Sequence, residues 1–126
     1  MSLSHRQIAI VAALGAILWF AAAMVARDAG PFLFDQGWRH VLLYLGLFPV
    51  TWPFVILFRA AADLSKDNLF AGVAVGTMTA LFLDGAAFAW LPTLYGPSTD
   101  NQLAGAASIL WGAGVFLFIG WIMSRR

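Results

Sequence analysis

An all-α membrane fold, with four transmembrane helices in one antiparallel bundle, is predicted by three observations. Of the 126 residues, 62% are hydrophobic, and the mean hydropathy is +0.85. The apolar residues gather into four stretches, each close to the roughly 20 residues that a helix needs to cross a hydrocarbon core about 30 Å thick. Only 10% of the residues are charged, against about a quarter in a soluble domain, so lipid replaces water as the main solvent. The formal net charge is +1 and the cations are scattered, which gives no basis for nucleic-acid binding. Cysteine is absent, which excludes disulfides, thiolate metal sites and a cysteine nucleophile.

The spans are placed at 8–26, 41–58, 69–91 and 103–123, in a single domain covering 1–126. The first is rich in alanine and follows Arg6; it also fits a signal peptide. Its apolar run outlasts a usual signal core, so an uncleaved helix is the expectation. The connection 27–40 mixes Arg27, Asp28 and Arg39 with Phe32, Phe34 and Trp38, a composition suited to the headgroup zone. The second span carries Pro49 and Pro53. Each lacks a backbone N–H and crowds the carbonyl one turn earlier, which predicts a kink and a possible hinge.

Ser65-Lys66-Asp67-Asn68 is expected to cap the third span. Within that span Gly72, Gly76, Ala80 and Asp84 recur every four residues, a stripe along which another helix packs closely. Thr99-x-x-Gln102 has capping-box spacing before the fourth span, where Ala104, Ser108 and Gly112 form a second small-residue row. Four crossings put Arg6, Arg59, Lys66, Arg125 and Arg126 on one side and Arg27 and Arg39 on the other. This bias places both termini in the cytoplasm and the chain in the inner (plasma) membrane, multi-pass. Trp38, Trp90 and Tyr95 then belong to the outer aromatic belt.

Asp84 is the one acid inside a span, where an ionised side chain costs about 2.5 to 3.5 kcal/mol and calls for a partner, a cavity or a proton. With adjacent spans antiparallel, Tyr44 and Ser108 fall at its height, and Trp111 and Trp19 slightly below. Either a hydroxyl from Tyr44 or Ser108 donates to the carboxylate, or desolvation keeps the acid protonated and neutral; the residues leave both open. His5 and His40 fall on opposite sides and share no metal. His40, Asp28 and Asp35 share the outer surface, yet no serine motif accompanies them. Neither a metal, a cofactor nor a catalytic residue is assigned.

Leu83-Asp84, Leu91-Pro92, Tyr95 and Leu110-Trp111-Gly112 resemble an uncharacterised family of small four-span bacterial integral membrane proteins. The resemblance covers the second half of the chain and implies the fold without an activity. Small multidrug-resistance transporters differ in carrying their acid in the first helix. Small dual-topology fluoride channels differ in the third helix. Three functions follow from the residues. The first is a structural or accessory helix-packing unit that meets its own copies or a larger membrane-protein partner within the lipid bilayer. The second is a small oligomeric proton- or ion-coupled transporter or channel using Asp84. The third is a membrane-interface enzyme acting on a lipid or quinone.

Overall fold

The computed structural model describes residues 2–34 and 37–125. The chain is all-α: α1 (His5–Leu33), α2 (Trp38–Ala61), α3 (Leu69–Trp90), a 3-10 turn (Pro92–Tyr95) and α4 (Thr99–Arg125). All four long helices have the length and apolar character to cross a membrane. Arg126, counted among the cations above, lies outside the described residues.

α1, α2 and α4 outrun their apolar spans, because backbone bonds propagate at little cost once a helix exists, while α3 ends one residue short of its own, ahead of Pro92. A capping box starts α1: Gln7 N–H donates to Ser4 Oγ (3.1 Å) and Ser4 N–H to Gln7 Oε1 (3.0 Å). The helix then runs through Arg27 and Asp28, which pair with each other, and through Pro31 to a final bond from Phe34 N–H to the Gly30 carbonyl (2.7 Å). Most of the connection placed at 27–40 is therefore helix. Arg39 Nε donates to the Phe32 carbonyl (2.8 Å) and its guanidinium lies over the Phe32 ring, which joins the end of α1 to the start of α2.

α2 continues unbroken through Pro49 and Pro53. It is the peripheral helix, with only Val55 and Phe58 buried. Its end turns through Asp63 at φ 54°, and Leu64 N–H reaches back to the Arg59 carbonyl (2.9 Å), a left-handed cap usually given to glycine. Gln7 Nε2 donates to the carbonyls of Ala62 (3.2 Å) and Asp63 (3.1 Å), which fastens this corner to the start of α1.

Both expected caps differ in detail. Asn68 turns its Oδ1 back to Ser65, accepting from the backbone N–H (2.7 Å) and Oγ (3.1 Å), so it leaves α3 without a side-chain cap. At α4 the capping hydroxyl belongs to Ser98, which accepts from Asn101 N–H (3.1 Å), while Gln102 Nε2 donates to the Gly96 carbonyl (3.0 Å). The cap thus sits one residue earlier than Thr99, without the reciprocal side-chain bond of a box, because Asn101 Nδ2 is turned to the Tyr95 and Ala26 carbonyls.

α1 packs most extensively on α3, α3 also on α4, and α4 on α2, whereas α1 and α2 meet only slightly. In the α1–α3 seam the backbones approach closely at Gly15 and Gly76: a Cβ on Gly15 would lie 2.9 Å from the Gly76 carbonyl carbon and 3.0 Å from its Cα. The row read in α3 points inward, with Gly72, Gly76 and Asp84 buried and Ala80 half-buried. Gly72 faces Leu64, Gly76 faces Gly15 and Phe58, and Asp84 faces the 3-10 turn. Gly112 makes an ordinary contact, a Cβ there standing 3.6 Å from Leu47 Cδ1. One apolar cluster centres on Phe58 and Phe116, whose rings meet edge-on at 5.1 Å. A smaller one joins Ala23, Ala26, Ala87 and Tyr95.

Candidate functional site: a lateral cleft beside a buried acid

Because α1 and α2 are splayed, a cleft of about 680 Å³ opens between them, floored by α3 and α4. Its walls are overwhelmingly apolar, with Leu18, Trp19, Leu43 and Phe54 among them. Thr51, Thr77 and Ser108 also line it. Each donates its hydroxyl to the carbonyl four residues back: Thr51 to Leu47 (2.7 Å), Thr77 to Val73 (2.8 Å) and Ser108 to Ala104 (2.8 Å). The remaining uncharged-helix polar groups being thus committed, Asp84 is the acid the cleft presents.

Asp84 is 7% exposed. Its Oδ1 accepts from the Tyr95 hydroxyl at 2.7 Å, and that hydroxyl accepts from Trp19 Nε1 at 3.0 Å. Indole, phenol and carboxylate thus form one chain linking α1, the 3-10 turn and α3. The Tyr95 ring is wholly buried and stacks on Phe88, with centroids 3.7 Å apart and planes at 10°. Burial above all, and then the bond to Asp84, push the Tyr95 phenol well above its ordinary pKa, so it keeps its proton and acts as donor. Among the described residues no cation lies within ion-pair distance of Asp84.

A second amide secures the turn. Asn101, at the start of α4, is 8% exposed, and its Nδ2 donates to the carbonyls of Tyr95 (2.7 Å) and Ala26 (3.0 Å). Gly96 sits against it: besides the positive φ, a Cβ there would come within 2.9 Å of Asn101 Cγ.

The donors expected for Asp84 go elsewhere. Ser108 bonds within its own helix, and Tyr44 stacks on Trp111 (5.0 Å, 26°), whose Nε1 donates to the Tyr44 carbonyl (2.9 Å). Tyr44 and Trp111 therefore join α2 to α4. Equal height in the bilayer does not set the direction a side chain takes around its helix. Tyr95, read as a belt aromatic, turns inward instead. The available signal was its bracketing by Pro92 and Gly96, which makes a tight turn able to fold back over the end of α3, and Asn101 carried no comparable sign. Near the start of α2, His40 packs edge-on against Tyr44 (5.0 Å, 78°), and its Nε2 is buried without a hydrogen-bond partner among the described residues. Asp28 pairs with Arg27, and Asp35 lies outside the described residues.

No protein-family model matches the chain, and neither the curated proteins nor the solved structures provide a match. The class of molecule is thus set by its own geometry: four helices able to cross a membrane, with a buried acid at the wall of a side-opening apolar cleft.

Proposed function

We propose that this chain is a bacterial inner-membrane protein that crosses the bilayer four times, with adjacent spans antiparallel and both termini cytoplasmic. It works without catalysis, as a helix-packing unit that holds an elongated apolar molecule in the cleft between α1 and α2. The observation that carries this reading is the shape of the cleft. Its lining runs from Gly15 to Phe34 along α1, about 28 Å at helical rise. Over nearly all of that length the lining is apolar, which suits a hydrocarbon chain laid along the helix.

The antiparallel arrangement draws support from contacts between opposite ends. Gly105 near the start of α4 adjoins Ala26 late in α1, and Gly120 near the end of α4 adjoins Val73 early in α3. Sidedness rests on the cation bias. The absence of cysteine makes it directly measurable. A single cysteine replacing Lys66 is expected to react with an impermeant maleimide only in inside-out vesicles, and one replacing Thr93 only in intact spheroplasts. The reverse pattern, or labelling of both from one side, refutes the orientation.

The cleft itself is tested with a variant keeping Trp19 as its sole tryptophan, placed in phosphatidylcholine whose chains carry bromine. Trp19 fluorescence is expected to be quenched, and Gly46→Phe, which fills the slot from α2, to remove at least about half of the quenching. The slot is right for such a plug because a Cβ on Gly46 meets nothing within 4 Å. Equal quenching with and without the plug sinks the reading. An accessory role beside a second copy is the other reading. It draws on exposed Gly85 and Gly114, where a Cβ likewise meets nothing within 4 Å and a partner helix has room to approach.

A further inference from the structure

The occupant of the cleft needs a polar end as well as a chain. Asp84 is 7% exposed and lines the cleft, with one carboxylate oxygen bonded to Tyr95 and no cation in reach among the described residues. The hydroxyls of Thr51, Thr77 and Ser108, which line the same cleft, donate to their own helices. What the cleft lacks is a hydrogen-bond donor, and what its acid lacks is a countercharge. A buried carboxylate without a countercharge is costly, and a ligand cation that also donates a hydrogen bond to it offsets part of that cost on binding. Trp19, one hydroxyl away from the acid through Tyr95, adds an aromatic surface to the same wall, and such surfaces attract ammonium groups. The other charged group of the cleft, Arg39, is engaged with the Phe32 carbonyl and ring.

We infer that the cleft binds a long-chain primary amine, its ammonium group donating to Asp84 beside Trp19 and its hydrocarbon chain lying along the slot toward Phe54 and Phe116. This rests on the cleft reading above and adds the chemistry of the ligand's head. Charge alone, or a neutral donor alone, satisfies only half of what Asp84 lacks, so the probes separate the two.

The whole protein in a neutral sugar detergent is titrated calorimetrically with dodecylamine, dodecyltrimethylammonium and dodecanol, which share one chain length. The amine carries charge and N–H donors, the trimethylammonium ion charge alone, and the alcohol a donor alone. Saturable binding of one dodecylamine per chain is expected, at least about tenfold tighter than either other probe, a difference typical of one charge-assisted hydrogen bond. Asp84→Asn is expected to remove that advantage. Gly46→Phe is expected to abolish binding of all three, and it decides the matter by itself should Asp84→Asn fail to fold. Equal affinity for the three probes overturns the amine assignment while leaving the cleft reading intact. Undiminished preference in Asp84→Asn overturns the role of the acid. No saturable binding of any probe overturns both the assignment and the cleft reading.

Discussion

Gly15→Leu is expected to cost the bundle about 3 kcal/mol or more, the upper end for overpacking, because the obstruction is backbone. At most glycines a neighbouring side chain could swing aside. At Gly15 the added carbon would meet the carbonyl group and Cα of Gly76, so α1 and α3 would have to separate along the most extensive helix contact of the fold. In a bilayer that contact has no hydrophobic force to restore it, since lipid solvates a parted helix as well as a packed one. Gly46→Leu is the matched control: open space surrounds it, and a change within about 0.5 kcal/mol is expected. Unfolding of both variants in mixed micelles by titration with sodium dodecyl sulfate, followed by circular dichroism, measures the difference. A Gly15→Leu protein as stable as the control would mean that the two backbones do not touch.

Tyr95→Phe is expected to cost about 2 kcal/mol by the same measurement. The ring and its stack on Phe88 are kept, but Trp19 Nε1 loses its acceptor and Asp84 its donor. Hydrogen bonds within membrane proteins average only about 0.6 kcal/mol, with a maximum near 1.7, because the unfolded chain in lipid also finds partners. Bonds to charged groups and buried groups left unsatisfied run higher, about 1.5 to 3 kcal/mol. Two such losses at one site set the figure between these limits. Asp84→Asn keeps an oxygen able to accept from Tyr95, so a smaller cost, about 1 kcal/mol or less, is expected. The order of the two variants is the sharper test: if Asp84→Asn proves the more damaging, the carboxylate holds the site through its charge, and the phenol bridge is secondary.

The residues of the site were unequally legible. Asp84 stands out in any reading of the chain because an acid within a run such as Leu81-Phe82-Leu83 breaks a rule that the solvent enforces. The Gly72 and Gly76 row was visible for a similar reason, since spacing four repeats on one helical face. Gly15 was hidden among the alanines of α1, a helix with several small residues able to mark a seam, and only the crossing point of α1 on α3 selects it. Tyr95 looked like an interfacial residue by position, and nothing singled out Asn101. Their roles depend on a turn that folds back into the bundle, a contact across 11 residues for Tyr95 and Asp84 and across 75 for Asn101 and Ala26.

By itself, then, the sequence determined that this is an all-helical chain with four segments able to span a membrane, and that one acid lies within them. Those are local properties: in lipid each segment must satisfy its own backbone polarity, so composition and length over about 20 residues suffice to reveal it. Only the tertiary structure decided that Tyr95 and not Tyr44 or Ser108 would meet Asp84, that Gly15 would touch Gly76, and that α1 and α2 would part to leave a cleft. Those outcomes depend on how each helix is rotated about its axis and where it crosses its neighbours, and that is settled by the packing of all four together.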